Sequence, residues 1–497
     1  MHGISTHRIL LPLYHKLYFL PISINSTEIN YLLFIYIKLY VPNKEMDALE
    51  QTIHTLLEEH LPSKNKEKSE LGEVFTPSSM ISNMYDYFPK EMMSRSTTFL
   101  DPASGIGNFG IVLFFHLMRV LRSIPLQKRA KHIIEKMIFM VEINKNNVAT
   151  CKKIFKKLCP TAVPNIHEGD FLSLDSAALG WPAAFDCIIG NPPYNLGGTG
   201  LEGTKRTHII FTEKALERIT PHGIVAYICP PSYRETGTPM NQLFQQAGGH
   251  FIYIKIYGAK ETFDLFHIQG RVDTFIFQKD TKGKTVIDDE YNVITTISID
   301  LNKHIPNFGH TIFEKLYKKV DAIGAVKAFR NTEMGSIKVA TFGCKGKYKV
   351  LHLILSKGKR VFQTKQKHSL ADTPKILING LGVPYVYDDR KGEYGPSQTP
   401  IIITEPTANL VHLLQSDFFS FLAWGLRLTG NNNLPYLFDA LPDIRKEKNS
   451  YKTMKDIATG FHLTAKEVAW IQNHFHEYEY TNVDLIEPCV RSTRKKK

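Results

Sequence analysis

Short apolar runs that break off in glycine, proline or a polar cluster recur along this chain and outline its architecture. Phe99 and Leu100 form the first, stopped by Asp101 and Pro102. Residues 138–143 (I-F-M-V-E-I) make a second, and residues 185–189 (F-D-C-I-I) a third, which ends at Gly190. Residues 251–258 and 271–279 (R-V-D-T-F-I-F-Q-K) read as two more strands. Helical patterns fill the space between, at 111–122 and from Ser78 onward. Strands alternating with helices predict an α/β fold.

Outside that region the pattern changes. The first 45 residues carry two apolar, aromatic segments, 9–20 and 31–40, interrupted by Pro12, His15, Lys16 and Lys38. Neither reaches the ~18 clean apolar residues of a membrane span, and no small-residue cleavage site follows. Residues 1–45 are therefore expected to be a dispensable extension ahead of a helical pattern at 46–60, with the charged stretch 63–70 as a linker and 46–71 as one N-terminal segment. A polar stretch at 280–292 predicts a domain boundary. Residues 293–490 mix short strands with loops and predict a second, α+β domain. Near its end Thr464 and Glu467 form a capping box ahead of a helix through Phe475. This is read as a terminal helical hairpin rather than a DNA-reading helix-turn-helix, since only Lys466 and Gln472 give the second helix a polar face.

Two of the strand ends carry chemistry. After Leu100 comes Asp101-Pro102-Ala103-Ser104-Gly105-Ile106-Gly107-Asn108-Phe109-Gly110, a glycine turn leading into a helix. Glycine lets backbone approach a ligand closely, and the helix N-terminus faces it. The G-x-G-x-x-G spacing alone would equally suit a nicotinamide dinucleotide. The third strand delivers Asn191-Pro192-Pro193-Tyr194. Its prolines fix φ and remove two donors, leaving stiff carbonyl acceptors beside an amide and a phenol ring. Such a loop suits a planar NH2 group.

With Gly72-Glu73-Val74-Phe75-Thr76-Pro77 upstream, these motifs resemble those of the S-adenosylmethionine-dependent N6-adenine DNA methyltransferases of the gamma arrangement, over roughly residues 70–280. The resemblance implies a Rossmann-like seven-stranded methyltransferase sheet in a catalytic domain at 72–280, followed by a target-recognition domain. It implies that Phe75, Thr76 and Pro77 line the methionine end of the cofactor. Asp101, Ala103, Gly105, Gly107, Asn108 and Phe109 would wrap the remainder, with Asn191 also at the cofactor. Glu142 near its strand end is the candidate ribose clamp, since a carboxylate can accept from both hydroxyls. Asp170 would bond the amino group of the cofactor's adenine and Phe171 pack against that ring. The stretch 123–136, with Lys128, Arg129 and Lys131, exceeds the family's usual separation and reads as an inserted loop.

By the same resemblance, Asn191, Pro192, Pro193 and Tyr194 form the catalytic loop. The exocyclic nitrogen of adenine is a poor nucleophile because its lone pair is delocalised. The Asn191 side-chain oxygen and the Pro192 carbonyl would hold both N6 hydrogens and aim that lone pair at the sulfonium methyl, so positioning and electrostatics carry the catalysis. Tyr194 would stack on a base extruded from the duplex. The family's second stacking aromatic lies in a loop between strands, here residues 262–270; Phe266 is favoured, with Phe263 as the alternative.

Composition fits without deciding. The chain has 497 residues, two domains' worth, and a net charge of +13 that suits a polyanion. Its six cysteines show neither C-x-x-C nor zinc spacing, so no metal is expected, and a reduced, intracellular setting, cytoplasmic or nuclear, is. Residues 341–370 hold no carboxylate, and Lys345, Lys347, Lys349, Lys357, Lys359 and Arg360 there are the candidate DNA contacts. The loop at 428–436 and the basic tail 491–497 are weaker ones. Double-stranded DNA is the expected partner of a monomer that has no nuclease of its own but is compatible with a separate restriction endonuclease. Cytosine-N4, RNA-guanine or protein-glutamine methylation remain alternatives, as does a DNA-binding protein with a retired catalytic fold.

Overall fold

The computed structural model describes residues 76–196, 205–268, 270–331, 333, 346–428, 435–477 and 480–486, with two short antiparallel strands, Pro12–Leu13 and Lys16–Leu17. The chain divides into two units, Met1–Ser63 and Lys64–Lys497, and every element below belongs to the second. The expected helix at 46–60, the linker at 63–70, Phe75, Lys345 and the tail at 491–497 lie outside the described residues, as does most of the 428–436 loop.

A nine-stranded sheet dominates. In chain order its strands are β1 (Phe99–Asp101), β2 (Ile138–Glu142), β3 (Asn165–Glu168), β4 (Phe185–Gly190), β5 (Ile219–Cys229), β6 (Gly249–Ile256), β7 (Asp273–Lys279), β8 (Thr285–Asp288) and β9 (Ile294–Ile297). Their spatial order is β9-β8-β6-β7-β5-β4-β1-β2-β3. The strands from β3 to β5 run parallel, whereas β7 is antiparallel to both of its neighbours. Central parallel strands are covered on both faces, which is why β1, β2 and the end of β5 are apolar at consecutive positions rather than alternating.

Helices α1 (Ser78–Tyr85), α2 (Asn108–Val120), α3 (Leu126–His132), α4 (Lys145–Leu158), α5 (Thr207–Arg218), α6 (Pro239–Ala247) and α7 (Ala259–Phe266) flank this sheet. Local chemistry starts them: Asn144 caps α4 by accepting from Asn146 N at 2.9 Å, and Thr238 with Pro239 at N1 opens α6. Packing then fixes them. Phe244 of α6 stands 4.7 Å from the Phe277 ring and 5.3 Å from Phe275, inside the main core. Burying each such ring contributes about 1.5–3 kcal/mol.

Three expectations change. The sheet has nine strands, not seven, because β8 pairs parallel with β6 and β9 pairs with β8. The polar stretch 280–292 therefore holds a strand of the central sheet, where a gap between domains was expected. The stretch 123–136 is α3 followed by a π-helical turn, Ile133–Met137, rather than a loop. Arg129 holds it in place, donating to the Met118 carbonyl at 2.7 Å and to the Ile124 carbonyl at 2.8 Å. Finally, 259–266 is helical because Thr262 and Phe266, one turn apart, are both buried.

Beyond β9 the region is mixed α+β. Strands β10 (Tyr348–Leu355), β11 (Gly358–Thr364), β14 (Gly395–Pro396) and β16 (Asp484–Ile486) form one sheet, and β12 (Lys375–Ile378), β13 (Val386–Asp389) and β15 (Ile401–Thr404) another. Alternation works here as it does not in the central sheet. Ile376, Ile378, Ile401 and Ile403 face a helical core, while Leu377 and Ile402 face the four-stranded sheet. The helical layer comprises α8 (His310–Ile323), α9 (Ala408–Leu414), α10 (Asp417–Leu426), α11 (Met454–Gly460) and α12 (Ala465–His474). The capping box of Thr464 and Glu467 is present, and Thr453 with Asp456 forms another ahead of α11.

This region is joined to the central sheet by polar groups. Arg234, in the loop after β5, ion-pairs with Asp273 at 2.7 Å and donates to the Asn307 side-chain oxygen at 2.9 Å. Asn307 Nδ2 in turn donates to the carbonyls of Trp424 at 2.9 Å and Arg427 at 2.8 Å, and its backbone N–H donates to Gly425 O at 2.6 Å.

Candidate functional site

The order of strands reverses between β1 and β4, and in an open α/β sheet the crevice beyond the C-terminal ends at that point is where ligands bind. Asp101, Glu142 and Gly190 end β1, β2 and β4 there. The loop after β1 is shaped by glycine: Gly105 has φ +55° and Gly107 +95°, and a Cβ on Gly107 would lie 2.6 Å from Cys151 Sγ. Gly107 N donates to Ser104 O at 2.8 Å, closing the turn into α2.

Glu142 ties the crevice together. One carboxylate oxygen accepts from Gly105 N at 2.7 Å and the other from Asn144 N at 2.7 Å. Asp101 is treated differently. Its Oδ1 accepts only a long bond from Ala103 N at 3.2 Å, and Oδ2 is buried with no hydrogen-bond partner among the described residues. Burial first, then the nearby Glu142 charge, push its pKa up to about 8 against the Ala103 bond that opposes them. Ser104 Oγ and Asn108 Oδ1 are likewise buried without a partner among the described residues. Buried polar atoms in a glycine cradle fit a ligand that brings donors, and an unpaired carboxylate fits a cationic end.

The acceptor loop lies against this cradle. A Cβ on Gly190 would come within 2.9 Å of Asp101 Oδ1, so only glycine lets the two strand ends approach this closely. From Gly190 the chain passes to half-buried Asn191, buried Pro192, and half-buried Pro193 and Tyr194. The Tyr194 carbonyl accepts from Thr207 N at 3.1 Å and meets His208 Nδ1 at 3.2 Å. His208 Nε2 reaches Ser232 Oγ at 3.3 Å, which anchors the loop to the segment after β5. Desolvation holds the His208 pKa below the usual imidazole range, consistent with a neutral, structural ring. His208 was not foreseen from the sequence; its signal is a lone histidine on the buried face at the start of α5.

The N-terminal motif joins both loops. Thr76 is buried; its hydroxyl accepts from Asn191 Nδ2 at 3.1 Å, and its carbonyl accepts from Asn108 Nδ2. Pro77 caps α1, whose Tyr85 hydroxyl donates to the Phe109 carbonyl at 3.1 Å. Thr76, Pro77, Asp101, Ala103, Gly105, Gly107, Asn108, Phe109, Glu142 and the loop from Asn191 to Tyr194 thus gather around the C-terminal ends of β1, β2 and β4.

Other expected site residues have protein partners in this structure. Phe171 is buried in the core, 5.3 Å from Phe211, so its ring packs against protein where a ligand had been expected. Asp170 is exposed and caps the following turn, accepting from Leu172 N at 2.9 Å. Phe266 is only 1% exposed, whereas Phe263, one turn earlier, is 52% exposed. The exposed ring of α7 is therefore Phe263, because the helix turns the favoured Phe266 inward. Lys359 is also withdrawn from the proposed DNA surface: it is buried, bonds Asn482 at 2.7 Å and sits 4.3 Å from the Tyr387 ring centre. Lys349 is exposed but paired with Asp484 at 2.8 Å. Lys347 and Lys357 are exposed and Arg360 half-exposed.

A doubly wound sheet with an antiparallel β7 and an asparagine-proline loop at its switch point defines a methyltransferase fold of the class I type. Residues 120–263, which include Asn191 to Tyr194, match the family described as Eco57I restriction-modification methylase. A stretch of 161 residues is 28% identical to the type II methyltransferase M.VspI of Vibrio sp. (strain 343), covering 30% of this chain and 34% of that protein. The match thus spans about a third of that relative's length. Among solved structures, the type IIL restriction-modification enzyme MmeI in complex with DNA aligns at TM-score 0.48 and 12% identity, covering 82% of this chain and 76% of that one. The M protein of the type I restriction enzyme EcoKI aligns at TM-score 0.34 and 14% identity, covering 53% and 59%. Among the described residues no helix is long and apolar enough to cross a membrane.

Proposed function

We propose that this chain is a site-specific DNA methyltransferase that uses S-adenosylmethionine to methylate N6 of an adenine flipped out of duplex DNA. The observation that carries the reading is the close approach of Gly190, which leads into Asn191–Pro192–Pro193–Tyr194, to Asp101 at the switch point, with Thr76 bonded to both Asn191 and Asn108. When bound, S-adenosylmethionine supplies an electrophilic methyl group. Asp101, Ser104, Gly105, Asn108 and Glu142 would hold it, Asp101 taking its cationic end. Asn191 Oδ1 and the Pro192 carbonyl accept the two hydrogens of the adenine amino group and fix its lone pair in one direction. Because two acceptors and a positioned electrophile suffice, no strong general base is needed. On this reading Tyr194 covers one face of the base and Phe263, the exposed ring of α7, covers the other. The match of residues 120–263 to restriction-modification methylases, and the description of the curated relative as a type II methyltransferase, support DNA over RNA or protein as substrate.

The test is incubation of the protein and its Asn191→Ala variant with unmethylated duplex DNA and labelled S-adenosylmethionine, followed by nucleoside analysis. N6-methyladenine from the wild type, reduced about 100-fold or more in the variant, is expected. N4-methylcytosine, or label in RNA or protein alone, would overturn the substrate; failure to bind the cofactor would overturn the reaction.

A further inference from the structure

We infer that Thr76 is a positioning residue for the acceptor amide, in addition to any contact it makes with the cofactor. This rests on the reading of Asn191 as the group that accepts from the substrate amino group. A carboxamide turns about its last torsion at little cost, and a hydrogen bond on its far end is what holds its plane. Asn191 Nδ2 donates to the buried Thr76 hydroxyl at 3.1 Å, across 115 residues of chain. That bond selects the amide orientation in which Oδ1, the acceptor, can be offered to a substrate NH2; with the amide flipped, Nδ2 would be set against the substrate's own donors. Thr76 is itself held from the other side, since its carbonyl accepts from Asn108 Nδ2. Asn108 is the first residue of α2, directly after the glycine turn. One threonine thus spans from the cofactor loop to the acceptor loop, by its backbone to one and its side chain to the other. Methionine-end contacts alone would not require the hydroxyl to face Asn191.

The test compares wild type with Thr76→Val, which keeps shape and loses the acceptor, and Thr76→Ser, which restores it. Substrate is a pool of unmethylated genomic duplex, and S-adenosylmethionine affinity is read separately by calorimetry. Thr76→Val is expected to lower kcat about 10- to 100-fold, as a misplaced reacting group does. The Kd and KM for S-adenosylmethionine should stay within about threefold, and Thr76→Ser should return kcat to within about threefold of wild type. An unchanged kcat in Thr76→Val, or a loss confined to cofactor affinity, would overturn the proposal while leaving the methyltransferase reading intact. A wild type that methylates nothing in the pool would remove the premise and the proposal with it. Melting curves check folding; should Thr76→Val not fold, Thr76→Ala against Thr76→Ser carries the same comparison.

Discussion

Asp101 and Asp273 are both buried, and both lie on the same rim of the central sheet, at the end of β1 and the start of antiparallel β7. Three strand steps, about 14 Å, separate them. Asp273 is met by the Arg234 guanidinium and by the Tyr233 hydroxyl at 2.9 Å. Burial alone would drive its proton on, and the Arg234 charge, then the Tyr233 bond, oppose that. Among the described residues Asp101 has no ion-pair partner, and one of its oxygens has no hydrogen-bond partner. A carboxylate answered by protein is architecture; one left unanswered at a switch point fits the ligand-binding role proposed for Asp101.

Removing the answer from Asp273 should have the largest effect. Arg234→Ala strands a buried charge and is expected to cost about 3–5 kcal/mol in denaturant unfolding. A loss below about 1 kcal/mol would mean that Asp273 simply takes up a proton, and the contrast would vanish.

Asp101→Asn should act in the opposite sense on the free protein. The pKa of Asp101 is raised in the folded state, so its contribution to stability is present below the unfolded value near 4 and is lost as pH rises toward about 8. The Asn variant should therefore gain melting temperature relative to wild type between pH 5 and pH 8.5. Its S-adenosylmethionine affinity should fall about 10- to 100-fold at high pH, the worth of a bond to a charged group. Wild-type affinity should rise as pH passes about 8. A pH-independent difference in melting would show that Asp101 is already answered in the free protein.

The aromatics of α7 repeat the contrast on a smaller scale. Phe263→Ala should weaken binding of a duplex carrying 2-aminopurine at the target position by about 1–3 kcal/mol with no change in melting. Phe266→Ala should do the reverse. The smallest effect belongs to the lysines: Lys357→Ala should reduce the slope of log affinity against log salt by about one, whereas Lys359→Met should lower stability and leave that slope alone.

The crevice was legible because its requirements are local. Glycine turns, Asp101-Pro102 and Asn191-Pro192-Pro193-Tyr194 each announce themselves within ten residues. The junction was not, because Arg234 and Asp273 lie 39 residues apart and nothing in either neighbourhood names its partner. Phe263 and Phe266 are three positions apart in an eight-residue helix, too short for its phase to be read. Lys359 shares a face of β11 with buried Val361, so strand alternation withdraws it from the charge run once the strand is known. Strands β8 and β9 have four residues each and were submerged in polar sequence.

Those two short strands bear on protein engineering. A graft that exchanged the C-terminal region by cutting at 280 would remove β8 and β9, bare the hydrogen-bonding edge of β6, and separate Arg234 from Asn307. The usable seam lies past Gly309, where α8 begins, and a cassette transplanted from there must bring carbonyls that Asn307 can reach.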